Sequence, residues 1–128
     1  VGTADKPSER RPAIQLEVKT ILNRIQHYVG FVYQEVRLGG RQRHADRIEI
    51  TLEPHQGMRR RCSQCQRPAP GYDQLQPRRW RHVPLWGIPT WFVYAPRRVS
   101  CPEHGVVVEL LPWSEGKRPL TTPMMGFL

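Results

Sequence analysis

Two short pairs of cysteine and histidine residues constrain this chain more than any other feature of its sequence. The first pair is Cys62 and Cys65, and the second is Cys101 and His104. A gap of two residues lets the chain curl so that both side chains of a pair reach one ion, and Gly105 permits the positive φ that such a turn often needs. Three thiolates and one imidazole complete a tetrahedral shell, so we predict one structural Zn²⁺ with no open coordination position.

Other interpretations of the cysteines fit the sequence less well. A CxxC pair can be a redox dithiol, but redox motifs usually begin a helix in a βαβ unit, whereas this pair leads into a proline-rich loop. Cys101 could be an ordinary buried cysteine and His104 a surface residue, although chance would rarely produce two pairs with matching spacing. The three cysteines cannot all pair within the chain, so we expect a reducing environment and no disulfide framework.

The size and composition of the chain explain why a metal would matter. With 128 residues, 38% hydrophobic residues and 13 prolines, the chain can bury only a modest core. Structural zinc contributes about 10 kcal/mol or more of apparent binding free energy, which would offset that shortage. The sequence has no long apolar run, and residues 1–12 lack the apolar stretch of a secretory signal, so we expect a cytoplasmic protein and no membrane partner.

The periodicity of apolar residues predicts an α+β fold that is mostly β, with a small zinc-ribbon-like module preceded by a short helix and a β-hairpin. Four segments follow from this pattern: a disordered lead-in at 1–13, the helix and hairpin at 14–55, a zinc-ribbon-like module at 56–113, and a linker with the start of a truncated helix at 114–128. Because the chain stops one turn into that helix, we expect the full protein to continue.

Within these segments the individual elements can be predicted from alternation and turn residues. In the first strand, Val29, Phe31 and Tyr33 should share one face, and the other face should carry Val32, Val36 and Leu38. The remaining predictions are a helix at 16–28, strands at 29–38, 47–53, 78–85, 90–99 and 106–111, a loop at 67–77, a turn at 86–87, an edge or bulge at Pro96, and a helix capped by Thr121.

An excess of arginine surrounds the cysteines. The chain carries a net charge of +9, and the interval 56–104 holds nine arginines against two acidic residues. Since so few carboxylates lie nearby, we expect these arginines to contact the phosphates of a polyanion, although they could instead only solvate the module. The candidate DNA-binding residues are Arg59, Arg60, Arg61, Arg67, Arg78, Arg79, Arg81, Arg97 and Arg98.

Aromatic residues alternate with these arginines, and two roles are open to them. Trp80, Trp86, Trp91 and Tyr94 could stack on bases or sugars, as aromatic residues do in many nucleic-acid-binding proteins. Tryptophan is buried on average, however, so for Trp86 and Trp91 we favour core packing.

The sequence offers no catalytic constellation. It contains no serine nucleophile motif, no phosphate-binding glycine loop and no HExxH motif. Asp5, Asp46 and Asp73 lie in polar segments and do not form a convincing acidic metal triad. We therefore expect no catalytic residues, no small-molecule substrate and no enzyme activity from this chain.

The order of its motifs resembles the N-terminal zinc-binding region of the ISL-three group of bacterial insertion-sequence transposases. The segments that carry the likeness are the CxxC pair, Gly71–Asp73, Arg81–Gly87 (RHVPLWG), Tyr94–Glu109 (with RRVxCPxHG) and Pro112–Trp113. Lys19–Arg24 and Leu120–Thr122 also resemble that family, so the likeness extends over roughly residues 16–128.

The resemblance implies a bacterial, nucleoid-associated transposase whose N-terminal module engages DNA, particularly at the ends of the mobile element. Such a protein would continue into a helical DNA-binding segment and an acidic-triad nuclease core of the RNase H type, both outside this chain. Self-association is a possible second property. The alternatives are a protein-interaction module that pairs transposase copies, which sedimentation with and without DNA would distinguish, and a truncated remnant without function.

Overall fold

The computed structural model describes residues 20–24, 27–41 and 43–128. The predicted lead-in at 1–13 and most of the predicted helix at 16–28 lie outside these residues, but residues 20–24 are helical, as the spacing of the apolar side chains predicts. Among the described residues no helix is long and apolar enough to cross a membrane.

Seven strands and a C-terminal helix make up most of the described chain, which confirms the α+β, mostly β class. The strands are β1 (Phe31–Arg41), β2 (His44–Pro54), β3 (Gly71–Gln74), β4 (Arg78–Leu85), β5 (Ile88–Tyr94), β6 (Arg97–Cys101) and β7 (Gly105–Val108), and the helix is Thr122–Phe127. They form a four-stranded sheet in the order β1-β2-β5-β4 and a three-stranded sheet in the order β3-β6-β7.

The four-stranded sheet joins two parts of the chain that lie far apart in sequence. β1 and β2 form one antiparallel hairpin, and β4 and β5 form another. β2 and β5 pair in parallel, with Ile48 opposite Thr90 and Thr51 opposite Val93. The predicted boundary between the segments 14–55 and 56–113 therefore runs through a single sheet.

The first hairpin confirms the prediction from alternating apolar residues in β2 but not throughout β1. Ile48, Ile50 and Leu52 are all buried, as their spacing in β2 predicts. In β1 the prediction was wrong after Tyr33, because a β-bulge shifts the register between Tyr33 and Glu35. Val36 therefore lies opposite Ile50 and packs against the same core as Phe31 and Tyr33.

Aromatic side chains dominate the core under the four-stranded sheet. Trp113 is fully buried and meets Phe31, Phe92, Tyr94 and Trp80 edge to face, with ring centroids 4.9–6.0 Å apart. Edge-to-face contacts add roughly 0.5–1.5 kcal/mol per pair beyond the burial of apolar area. This arrangement gives a chain of modest size a densely packed core on one face of the sheet.

Not every tryptophan joins this core. Trp91 is only partly buried and lies outside the core cluster, and Trp86 is 81% exposed at the turn between β4 and β5, so the expectation of core packing was wrong for both. The turn itself lies at residues 86–87, as predicted, because Leu85 pairs with Ile88.

The three-stranded sheet contains two features that differ from the sequence-based prediction. β3 (Gly71–Gln74) lies within the segment predicted as loop, and its four residues are all exposed. The apolar run predicted as one strand at 90–99 is divided at Ala95 and Pro96, so that β5 and β6 belong to different sheets. Proline cannot donate a ladder hydrogen bond, which explains why the strand ends there.

The C-terminal residues dock against the edge of β4. The backbone N–H of Arg81 donates to the Pro119 carbonyl at 2.7 Å, and the N–H of Thr121 donates to the Arg81 carbonyl at 2.9 Å. The Thr121 hydroxyl then accepts a hydrogen bond from the Met124 N–H, which is the helix cap that the sequence predicts.

Candidate metal centre

The four predicted ligands converge on one point. The ligand atoms of Cys62, Cys65, Cys101 and His104, one from each residue, all lie within 4.8 Å of one another. The Cys65 and Cys101 sulfurs are 3.8 Å apart, and His104 Nδ1 lies 3.7 Å from the Cys62 sulfur and 3.6 Å from the Cys101 sulfur. A tetrahedron with Zn–S near 2.3 Å and Zn–N near 2.0–2.1 Å has S···S edges of about 3.8 Å and S···N edges of about 3.6 Å. The cluster therefore has the dimensions of a zinc shell.

The first ligand pair lies in a turn closed by backbone hydrogen bonds. The Cys62 N–H donates to the Arg67 carbonyl at 2.9 Å, and the Gln66 N–H donates to the Cys62 carbonyl at 2.8 Å. The Gln64 N–H points at the Cys62 sulfur, 3.4 Å away. These contacts fix the turn from which the first ligand pair projects.

The second ligand pair lies in the turn between β6 and β7. Gly105 has φ +74°, which confirms the expected positive φ, and it pairs with Cys101 across the turn. The backbone N–H of His104, together with its ring, lowers the pKa of the Cys101 thiol to about 6. Cys101 is therefore largely a thiolate at neutral pH, ready to bind a cation.

All four coordination positions are filled by the protein, so this is a structural zinc site. Cys62 and Cys101 are buried together with Val99, and Cys65 and Val107 pack against them, so these few side chains form a small second core. A zinc ion here joins two turns that are 35 residues apart in the chain. It contributes cross-linking and folding free energy and leaves no position for a reactive water.

A buried acidic residue that the sequence did not single out lies where the two sheets meet. Glu109 is only 2% exposed and accepts a hydrogen bond from the Tyr94 hydroxyl at 2.7 Å. Arg97 donates to the same carboxylate from Nη2 at 2.7 Å, from Nε at 3.0 Å and from its backbone N–H at 2.9 Å. Next to the ribbon, Glu109 also forms an isolated β-bridge with Cys62.

Four of the nine candidate arginines form ion pairs with carboxylates. The pairs are Arg67 with Glu103, Arg79 with Glu49, Arg97 with Glu109, and Arg98 with Asp73. Two of these acids, Glu49 and Glu109, lie outside the interval 56–104. Counting charges along the chain therefore understated how many arginines have a partner, because the fold brings distant acids close.

The other five arginines have no carboxylate within ion-pair distance in the described part of the chain. Arg59, Arg60 and Arg97 line two adjoining grooves, of about 420 and 330 Å³, and Arg61 lines the smaller one with them. Arg78 and Arg81 lie over the rings of Trp80 and Trp91, at 4.5 and 4.9 Å from the ring centroids. The nine arginines thus do not share one groove, and only four of them are brought together there.

Comparisons with known proteins agree with this site. Residues 59–104 match the family model described as the zinc finger of transposase IS204/IS1001/IS1096/IS1165, an interval that contains all four ligands. The chain is also 37% identical over 70 residues to the transposase for insertion sequence element IS1557 of Mycobacterium tuberculosis, in strains CDC 1551 / Oshkosh and ATCC 25618 / H37Rv.

The extent of this likeness is limited. The aligned region covers 53% of this chain and 16% of each relative, so the chain spans only a small part of their length. No solved structure gives a significant match. The ligand spacing, the geometry of the cluster and the family match agree, so the expected resemblance is confirmed: residues 59–104 are similar to the zinc finger of this transposase group and carry its zinc-binding cluster.

Proposed function

We propose that this zinc ribbon binds DNA through its arginines and serves a bacterial transposase by engaging the ends of the mobile element. The observation that carries the proposal is the cluster of arginines without carboxylate partners at the junction of the two sheets. The transposase named among the relatives acts within an insertion sequence element, which makes DNA the natural polyanion. Strand cleavage would then belong to parts of the protein outside this chain.

The groove at the junction suits a phosphate group. Arg59, Arg60 and Arg61 follow one another immediately before Cys62, and Arg60 Nε is buried without a hydrogen-bond partner. A buried guanidinium N–H without an acceptor costs free energy, and a phosphate oxygen would supply that acceptor. The Arg97 guanidinium, held by Glu109, forms another wall of the groove but is largely neutralised.

A second basic surface lies on the solvent-facing side of the four-stranded sheet. The guanidinium groups of Arg79 and Arg81 each lie 4.9 Å from the centroid of the Trp91 ring. Stacking of this kind holds a guanidinium in place while its N–H groups remain able to bind phosphate. Glu49 lies 2.9 Å from Arg79 and weakens this surface, so we assign the main phosphate contacts to the groove.

Salt dependence tests the proposal. Binding of a 20-base-pair duplex is measured by fluorescence anisotropy between 50 and 200 mM salt, with zinc-loaded protein. Each phosphate contact contributes about −0.9 to the slope of log K against log salt. Arg59→Ala should weaken binding and reduce the magnitude of the slope by about 1.

Arg37→Ala is the matched control, since it removes the same charge at a distance from the groove. Arg37 lies six residues along β1 from Phe31, which borders the groove, and this corresponds to about 20 Å of strand. The control should leave the slope unchanged. An affinity that does not change with salt concentration would refute the proposal. So would an equal change of the salt slope in Arg37→Ala and Arg59→Ala.

A further inference from the structure

An exposed tryptophan forms the tip of the hairpin between β4 and β5. Leu85 pairs with Ile88, so the connecting loop consists only of Trp86 and Gly87. Both residues have positive φ, 53° and 73°, which is the signature of a type I′ turn. The Trp86 side chain is 81% exposed.

The position of Trp86 is unfavourable for the fold. Type I′ turns favour asparagine followed by glycine, because few other residues tolerate positive φ, and a bulky aromatic residue there is a strained outlier. Because the ring is exposed, burial of its apolar surface offsets little of the free-energy cost of this backbone strain. Strained residues of this kind concentrate where a protein meets a ligand. Trp86 is therefore suited to a contact outside the fold.

The topology places basic residues at the same end of the sheet. β2 and β5 are adjacent and parallel, so the loop that precedes β2 lies beside the turn that precedes β5. Arg41 at the end of β1, Arg43 in that loop and His44 at the start of β2 are all exposed. Within the described part of the chain, neither Arg41 nor Arg43 has a carboxylate partner. This end of the sheet thus combines one exposed aromatic ring with two arginines that have no carboxylate partner among the described residues.

We propose that Trp86 stacks on an unpaired nucleobase while Arg41 and Arg43 bind the flanking phosphates. This inference rests on the proposed function in taking DNA as the partner, but it uses a different end of the molecule from the Arg59–Arg61 groove. Bases in an intact duplex are already stacked on their neighbours, so a ring at a hairpin tip reaches a base face only where a base is unpaired. The site therefore selects distorted or partly single-stranded DNA.

Comparison of two DNAs tests this inference. The probes are a blunt 20-base-pair duplex and the same duplex with a two-nucleotide unpaired bulge. Zinc-loaded protein should bind the bulged DNA roughly tenfold more tightly, since base–aromatic stacking is worth a factor of that order. Trp86→Asn should abolish this preference and keep the affinity for the blunt duplex.

The same substitution should raise the melting temperature, because it creates the Asn-Gly sequence that a type I′ turn favours. Loss of DNA selectivity together with a gain in stability separates a binding role from a structural one. Arg41→Ala with Arg43→Ala, which leaves the turn intact, should also weaken binding of the bulged DNA. Phe127→Ala, which removes another exposed aromatic residue, is the control and should keep the preference.

The outcomes distinguish the two proposals. If the wild-type protein binds neither DNA, the proposed function fails. If it binds both DNAs equally, or if Trp86→Asn keeps the preference or weakens both complexes alike, this inference is overturned while DNA binding stands. Self-association that is lost in Trp86→Asn, without a change in DNA preference, would assign Trp86 to a protein contact and also overturn it.

Discussion

Glu109 shows how a single buried residue can join two parts of this molecule. Its carboxylate accepts hydrogen bonds from the Tyr94 hydroxyl, where β5 ends, and from the Arg97 guanidinium, where β6 begins. The side chains of Arg97 and Glu109 are 15% and 2% exposed, so both charges are largely removed from water. The desolvation cost of such a pair is offset only while both partners are present.

Removal of one partner should therefore be costly. Glu109→Ala leaves the Arg97 guanidinium partly buried without its counter-charge, and we expect a loss of about 3–5 kcal/mol of unfolding free energy. Urea denaturation of the zinc-loaded wild type and variant measures this loss. Glu103→Ala removes the carboxylate of an exposed pair, with Arg67, and should cost less than about 1 kcal/mol. Equal losses in the two variants would contradict this account of the junction.

His82 is a second buried polar residue whose surroundings determine its charge. It stacks on Phe92 at 4.3 Å between ring centroids, and its Nδ1 lies 2.9 Å from the Thr121 hydroxyl. Burial lowers the pKa of His82 from 6.5 to about 4. The imidazole is therefore neutral in the folded protein at pH 7.

A loss of stability in mild acid follows from this shift. As pH falls below 6.5, the unfolded chain takes up a proton on His82 while the folded protein does not. The contribution of His82 to the free energy of unfolding is therefore greatest above pH 6.5 and is lost as the pH falls toward 4. The effect amounts to about 2 kcal/mol between pH 7.5 and 5.0.

The measurement is the difference in unfolding free energy between the wild type and His82→Gln, which isolates the contribution of this residue. The wild-type advantage should shrink by about 2 kcal/mol over that pH range. A constant difference at both pH values would show that His82 does not carry the effect.

At the scale of elements, the sequence identified those strands whose side chains alternate between core and solvent. β2 is such a strand, and so is β4, in which Trp80 and His82 are buried between exposed or half-buried neighbours. β3 could not be found in this way, because all of its residues are exposed and the strand exists through its pairing with β6. The parallel pairing of β2 with β5 depends on contacts distant in sequence, which local patterns do not encode.

Metal removal should affect the two sheets unequally. The ribbon is held by a small cluster around Cys62, Val99 and Cys101, whereas the aromatic core around Trp113 contains no ligand. Chelation should therefore abolish the protection of amides in β6 and β7 from hydrogen exchange, while the near-ultraviolet circular dichroism of the buried tryptophans persists. Simultaneous loss of both signals would show that the sheets fold as one unit.

At the scale of the whole molecule, the metal site was predictable and its surroundings were not. The spacing of the four ligands gave the site because each pair acts through local backbone geometry. The groove of Arg59–Arg61 and the neutralisation of Arg97 by Glu109 arise where two sheets meet, so they depend on the complete fold. The net charge of +9 indicated a polyanion partner, but only the fold separates the paired arginines from those still available.

The central claim is that one zinc ion, bound by three sulfurs and one nitrogen, holds this ribbon together. X-ray absorption spectroscopy at the zinc edge on purified protein tests it most directly. The account predicts one zinc per chain with three sulfur ligands near 2.3 Å and one nitrogen near 2.0–2.1 Å. Folded protein without zinc, or zinc surrounded by oxygen ligands in place of sulfur, would contradict it.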